Sequence, residues 1–403
     1  MAHIVAIGAG QAGSSLVAKL RNSGFDGKVT LIGAERHPPY QRPPLSKKYL
    51  LGDMPLDRLY LRPEKFYREN DITLRLGQPI TKIDPNTRCI FLDNEVISYD
   101  ELALTTGSVP RLLPASIGGA LDGVHVVRSL SDVDAMAPRF DAKARILIVG
   151  GGYIGLEAAA VAATKELEVT LVEMADRILQ RVAAPQTSDF FRNLHQLHGV
   201  DIREGVGLEQ LFGTGAVTGA ALTDGSELAV DFVIAGVGVT PATDLAEQAG
   251  LEIDNGIKTN VLGQSSDPHI WAAGDCASLP YRGRQIRLES VQNAIDQAEI
   301  VAKNMLGGNQ PYHPMPWFWS DQYDVKLQIA GLNSGYDRVV TRPGEKDGAV
   351  SFWYYNKTSL LAVDAANDPR AYMIGKRLIE AEKSPAPQVI EDPKTDLKAL
   401  LKP

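Results

Sequence analysis

The stretch Gly8-Ala9-Gly10-Gln11-Ala12-Gly13 follows the apolar run His3 to Ile7, and Gly150-Gly151-Gly152-Tyr153-Ile154-Gly155 follows Arg145 to Val149. Each is a G-x-G-x-x-G fingerprint between a predicted strand and a predicted helix. Each has an acid at the end of the next strand, Glu35 and Glu173. A dinucleotide pyrophosphate needs a glycine turn that lets backbone N–H groups approach, at a helix start that favours negative charge. One such match is a weak signal, because tight turns in unrelated α/β units produce it too. Two, each with strand, helix and acid in place, argue for two dinucleotides on one chain. The simplest pair is a flavin that stays bound and a nicotinamide that comes and goes.

The fingerprints head an internal repeat with an offset of roughly 130–140 residues. In both halves a run opening on Asp continues as an apolar segment and ends on glycine: Asp100-Glu101-Leu102-Ala103-Leu104-Thr105-Thr106-Gly107 and Asp231-Phe232-Val233-Ile234-Ala235-Gly236. Continuous rather than alternating apolar character reads as a buried parallel strand. Between acid and strand each half has room for a helix and a small antiparallel insertion, and Thr223-Asp224-Gly225-Ser226 fits a hairpin turn. The chain changes character after Gly238. Trp271-Ala272-Ala273-Gly274-Asp275 ends a strand, and a helix follows with Ala294, Ala298, Val301 and Met305 on one face and Gly307 as its stop. From Trp317 the pattern is β-rich. Ala371 to Ala381 reads as a helix, Ser384 to Thr395 as a Pro-rich extended arm, and Leu397 to Leu401 as a short docked helix.

With 403 residues there is room for roughly three domains. A net charge of −8 argues against nucleic acid as the main partner. No run of 18 apolar residues suggests a membrane span. The first strand begins almost at once, so no targeting segment is expected. Cys89 and Cys276 make neither a C-x-x-C nor a metal-ligand spacing, so no metal site is expected. Two lone thiols suit a reducing cytoplasm.

Several further stretches make a resemblance specific: Arg42-Pro43-Pro44-Leu45-Ser46-Lys47, Tyr60-Leu61-Arg62, Thr105-Thr106-Gly107, Gly150 to Glu157, Ala273-Gly274-Asp275, Glu289 to Ala294 and Trp317 to Gln322. Through essentially its whole length the chain resembles flavin-dependent pyridine nucleotide oxidoreductases with two dinucleotide-binding domains. Within them it is similar to the ferredoxin reductases of oxygenase systems, of the putidaredoxin reductase type. The resemblance implies an α/β fold of glutathione-reductase-like architecture: a discontinuous FAD-binding domain (1–109 and 240–315), an NAD-binding domain (110–239) and a C-terminal α+β domain (316–403).

The resemblance also implies roles. FAD would be held by Gly8, Gly10, Gly13, Glu35, Arg42, Lys47, Thr106, Gly107, Asp275, Trp319 and the helix start at Val291, whose partial positive charge would face the flavin pyrimidine ring. NADH would be held by Gly150, Gly152, Tyr153, Ile154, Gly155, Glu173 and Gly236. A carboxylate at Glu173 repels a 2′-phosphate and so favours NADH over NADPH; Arg177, close in sequence, pulls the other way. Lys47 and Glu157 would form an ion pair at the flavin that orients the nicotinamide, the alternative being a solvated surface pair. Tyr153 would cover the nicotinamide pocket or simply pack at the helix start. Trp319 would lie at the flavin edge where an acceptor docks, or serve as an interface aromatic. Disulfide-reducing relatives carry C-x4-C where this chain has Arg42 to Lys48, so no protein thiol is placed to take electrons here.

The activity expected is electron transfer from NADH through FAD to a [2Fe–2S] ferredoxin, one electron at a time, for a cytochrome P450 or other monooxygenase. Arg62, Arg284 and Arg287 are the candidates for docking an acidic ferredoxin, and a monomer is expected. A rubredoxin reductase, an NADH oxidase or diaphorase, and an NADH-sensing interaction protein are the rival readings.

Overall fold

The computed structural model describes every residue except Asn94, Ala142 and Pro403. The chain divides into two compact units, one of Met1–Arg42, Pro55–Val109 and Val239–Pro316, the other of Pro43–Met54, Pro110–Gly238 and Trp317–Pro403.

The first unit is built on a parallel sheet of five strands in the order Ile270–Ala272, Glu101–Leu104, His3–Ile7, Lys28–Ile32, Ile72–Arg75. Its central strand is buried along its whole length, as a strand covered on both faces must be. Helix Gln11–Asn22 lies on one face with helix Val291–Met305, their apolar sides meeting through Leu16, Leu20, Ala294, Ala298 and Val301. The other face is covered by the antiparallel meander Lys82–Asp84, Cys89–Leu92, Glu95–Ser98, through Ile83, Ile90 and Ile97.

In the second unit the parallel order is Asp201–Glu204, Glu168–Glu173, Arg145–Val149, Phe232–Ala235, Val124–His125. The first four strands repeat the order of the other sheet, and each half carries its three-stranded meander, here Leu208–Phe212, Gly219–Leu222, Glu227–Ala229. The turn expected at 223–226 joins the last two of these strands, with Gly225 at φ +82°. The edge strand differs: it comes after the fingerprint in one sheet and before it in the other.

The C-terminal part of the second unit is an antiparallel sheet in the order Trp317–Gln322, Val325–Gly331, Ser359–Ala366, Val350–Asn356, Arg338–Pro343, with helix Pro369–Glu380 packed on it. One expectation fails here. The Pro-rich segment after Ser384 is not wholly extended but contains a helical turn, Pro387–Glu391. Pro387 opens that turn, where its missing N–H costs nothing. The buried Arg342 then fastens the segment, donating to the carbonyls of Ile390 (2.8 Å), Asp392 (2.6 Å), Pro393 (3.1 Å) and Thr395 (2.8 Å).

Asp364 is a buried acid in this unit. Its Oδ2 accepts the hydroxyls of Thr187 (2.9 Å) and Tyr354, while Oδ1 has no partner among the described residues. Burial pushes its pKa from 3.8 up to about 6, against the pull of the two hydroxyls. The folded protein thus keeps this proton where the unfolded chain has released it. The associated stability is complete below the unfolded value and is lost as pH rises through about 6. Asp364→Asn removes that loss. Its melting temperature, measured against wild type, should gain by roughly 2–6 °C between about pH 4.5 and about pH 7.5. A difference independent of pH refutes the assignment.

Candidate functional site

Gly8 adopts φ +113°, and a Cβ on it would lie 2.1 Å from the Thr105 carbonyl oxygen. A Cβ on Gly13 would lie 2.1 Å from the Gly8 carbonyl oxygen. Strand end, turn and helix therefore touch through backbone alone. Thr105 locks the contact, its hydroxyl donating to the carbonyls of Ile7 (3.0 Å) and Gly8 (2.8 Å). The second fingerprint repeats the geometry: Gly150 has φ +109° with its Cβ position 2.5 Å from the Gly236 carbonyl, and that of Gly155 is 2.1 Å from the Gly150 carbonyl.

The middle glycines behave differently. Nothing lies within 4 Å of a Cβ built on Gly10 or on Gly152. Both are N-caps of 12-residue helices, Gln11–Asn22 and Tyr153–Thr164, and neither helix has a side-chain cap. Each turn thus leaves open space in front of backbone N–H groups at a positive helix end, the surroundings a pyrophosphate requires. The residues present fit two dinucleotides on this ground.

Around the first turn, Glu35 accepts Arg42 Nη2 at 2.6 Å and the Tyr40 hydroxyl at 2.5 Å, and Arg42 lies over the Tyr40 ring. Burial works against the Arg42 charge, but Tyr40, Glu35 and Asp275 outweigh it and hold the guanidinium above its ordinary pKa. Asp275 accepts Ser108 Oγ at 3.1 Å. Thr106 donates to the Ala242 carbonyl (2.7 Å), and Gly107 takes φ +73°. Helix Val291–Met305 is capped by Ser290, whose Oγ accepts from the Asn293 N–H at 3.1 Å.

Around the second turn, Glu173 is committed to backbone. It accepts the N–H groups of Gly151 (2.7 Å) and Ala175 (2.8 Å). Arg177 turns away from it, donating to Ser188 Oγ (2.5 Å) and the Ala183 carbonyl (2.8 Å). The residue that argued for a 2′-phosphate is therefore already engaged elsewhere. Gly236 closes its strand by donating to the Val149 carbonyl, and Ile154 is exposed.

The same unit holds an ion pair. Lys47 Nζ lies 3.0 Å from Glu157 Oε1, with the Glu157 side chain 7% exposed. Ser320 Oγ donates to Glu157 Oε1 at 2.6 Å, Ser46 Oγ to Oε2 at 2.9 Å, and Asp321 lies 3.9 Å from Lys47. Burial raises the Glu157 pKa, opposed by Lys47 and the two serines. A pair this enclosed differs from a solvated surface pair: removing one partner strands a buried charge. Tyr153, four residues earlier on the helix, tilts against Phe318 with ring centres 5.1 Å apart, and its buried hydroxyl has no partner among the described residues. Trp319 is half-buried beside Trp317, 5.6 Å between centroids.

The three arginines proposed for docking are not equivalent. Arg62 donates to Ser14 Oγ (3.0 Å) and lies over Phe66. Arg287 pairs with Glu289. Arg284 is exposed on the strand Arg284–Arg287. Sequence reasoning gave no role to Thr105, Tyr40, Ser46 or Ser320, although the first of these adjoins the Thr106-Gly107 pair it did single out. No helix among the described residues is long and apolar enough to cross a membrane.

The family model described as pyridine nucleotide-disulphide oxidoreductase matches residues 2–298. The chain belongs to that family. A second model, reductase C-terminal, matches residues 317–401 of this oxidoreductase. It is 40% identical to a ferredoxin–NAD(P)+ reductase of Sphingomonas, across 99% of this chain and 98% of that one. Two crystal structures superpose on the oxidoreductase with a TM-score of 0.95, each at 38% identity: the covalent putidaredoxin reductase–putidaredoxin complex (99% of this chain, 98% of the other) and the ferredoxin reductase for the CYP199A2 system from Rhodopseudomonas palustris (100% of each). At that identity the oxidoreductase is a relative of the R. palustris enzyme and not the same protein.

Replacing Glu173 with Ala removes the carboxylate that faces the second glycine turn. The ratio of kcat/KM with NADH to kcat/KM with NADPH should fall by roughly tenfold or more, the worth of one interaction with a charged group. A ratio equal to wild type assigns the discrimination to other residues.

Proposed function

We propose that this oxidoreductase is an FAD flavoprotein that takes electrons from NADH and delivers them one at a time to a [2Fe–2S] ferredoxin serving an oxygenase, a cytochrome P450 being the simplest terminal partner. The observation that carries the reading is the pair of open glycine turns, on a chain similar end to end to ferredoxin reductases. FAD supplies the chemistry that accepts a hydride and releases single electrons; the protein supplies binding, orientation and charge.

In this reading the turn of Gly8, Gly10 and Gly13, with Glu35, Arg42, Thr106, Gly107, Asp275 and the helix start at Val291, holds FAD. The turn of Gly150, Gly152 and Gly155, with Ile154, Glu173 and Gly236, holds NADH. Lys47 and Glu157 orient the nicotinamide through fixed charges, Tyr153 covers it, and Trp319 serves the acceptor side. The functional domains in this reading are 1–109 with 240–315, 110–239 and 316–403, although Pro43–Met54 clusters with the second unit. Electrons leave to an external acceptor in this reading: both cysteines are free, with no disulfide between them, and burial pushes the Cys276 thiol up. Of the docking arginines, Arg284 offers the most accessible charge. The protein works as a monomer in the cytoplasm.

The deciding experiment is NADH-dependent cytochrome c reduction by the purified protein, with and without added [2Fe–2S] ferredoxin. A large ferredoxin-dependent increase is expected. Stimulation by rubredoxin alone, or rapid O₂ consumption without any carrier, overturns the ferredoxin assignment.

Lys47→Ala probes the ion pair within the same reading. It should retain FAD yet slow the reduction of FAD by NADH, followed by stopped-flow absorbance, on the order of 10–100-fold. Unchanged kinetics remove Lys47 from the hydride step.

A further inference from the structure

Glu157 does not end its contacts at Ser320. Gln322 Nε2 donates to Ser320 Oγ at 3.2 Å, Gln322 Oε1 lies 2.8 Å from His195 Nε2, and His195 Nδ1 lies 3.1 Å from the Tyr323 hydroxyl. Ser320, Gln322 and His195 are completely buried. At the outer end the exposed His198 stacks on Tyr323, with ring centres 3.6 Å apart and planes at 11°.

We propose that Tyr323, His195, Gln322 and Ser320 form a one-way hydrogen-bond chain that holds Glu157 as a carboxylate, making His195 and Gln322 positioning residues for the Lys47–Glu157 pair. The direction follows from donor and acceptor capacity, one link at a time. An ionised carboxylate only accepts, so Ser320 spends its hydrogen on Glu157. Its oxygen then accepts from the Gln322 amide nitrogen. That orientation turns the Gln322 oxygen toward His195, which must carry its hydrogen on Nε2. Nδ1 is left bare and accepts from Tyr323. The amide orientation and the histidine tautomer are thus set by the network, as they must be where hydrogens are inferred. Every dipole points at Glu157, and hydrogen bonds in series polarise one another.

The surroundings agree. Burial holds the His195 pKa down to about 4, aided by His198 and opposed by Gln322, so the ring is neutral at physiological pH and can both donate and accept. The other titratable groups facing His195 are His198 on its own helix, Pro185–Leu197 extended by one residue, and Tyr323 across from it. Those facing Glu157 are Lys47, Asp321 beyond Lys47, and Tyr153 on its own helix. None of these besides Lys47 favours a negative charge at Glu157, which leaves the serines and the chain behind Ser320 to do so. The chain transmits polarity and not protons, because the Gln322 amide passes a proton only through a rare imidic acid form.

The inference concerns Glu157 in the resting holoprotein and needs no acceptor, so its failure and that of the ferredoxin reading are distinguishable. The test is an infrared pH titration of the carboxyl band assigned by its loss in Glu157→Gln. Gln322→Leu and His195→Phe should raise the pH of half-protonation by roughly half a unit to one unit, the worth of one neutral hydrogen bond. His195→Gln, which can still donate to Gln322 and accept from Tyr323, should restore it. Nitrogen-15 NMR of the unmodified holoprotein gives a second readout that no folding defect can blur. It should find His195 neutral with its hydrogen on Nε2 at neutral pH. The opposite tautomer, or a carboxyl titration that Gln322→Leu leaves in place with FAD content intact, overturns the proposal.

Discussion

In both halves of this protein a helix start is pressed against a strand end with no side chain between them. The Cβ positions of Gly8, Gly13, Gly150 and Gly155 all lie within 2.5 Å of a carbonyl oxygen, closer than any real Cβ atom comes. Everything else about the two turns depends on that approach. It brings Thr105 into reach of the Ile7 and Gly8 carbonyls, and it aims the first N–H groups of each helix at the open space beside Gly10 and Gly152. Occupying that space with a side chain would cost binding; occupying the other four positions would cost the fold.

The second unit adds a different constraint, a carboxylate removed from water. Glu157 is tolerated because Lys47 neutralises it and because Ser46 and Ser320 occupy its oxygens. A buried ion pair gives little net stability compared with apolar packing, since desolvation offsets most of the attraction. What such a pair provides is a charge fixed in place. Two serines from opposite sides of the sequence, plus a lysine from the short 43–54 segment, are needed to hold it. That segment belongs to the second unit although its neighbours in sequence belong to the first.

Much of the architecture was legible because it is periodic. The two fingerprints, the continuous apolar strands and the β-rich C-terminal runs each announce themselves within a dozen residues. The turn at Pro387 was not legible, because proline signals an extended chain except at the first position of a helix, and the contacts that tie the segment into place, the Arg342 guanidinium and the core around Ile390, come from residues distant in sequence. At the candidate site, the pairing of Lys47 with Glu157 came from resemblance and not from spacing. The partners Ser46, Ser320 and Gln322 carry no local signature: a serine on a strand is ordinary, and its direction is decided by a helix more than 150 residues away. Arg177 misled for the same reason, since sequence proximity to Glu173 says nothing about the Ser188 and Ala183 oxygens that claim it.

The unlike edge strands of the two sheets bear on how the chain is made. The second parallel sheet takes its last strand, Val124–His125, from residues that precede its fingerprint, so all five strands have left the ribosome once Ala235 has emerged. The first sheet takes Ile270–Ala272 from residues that follow the whole of the second. Until those residues are synthesised, Glu101–Leu104 stands as an unpaired edge with its apolar face short of a neighbour, a state open to pairing with other chains. Of the two parallel sheets, the one that begins first is therefore completed last, and its open edge during synthesis lasts as long as the translation of the residues inserted within it.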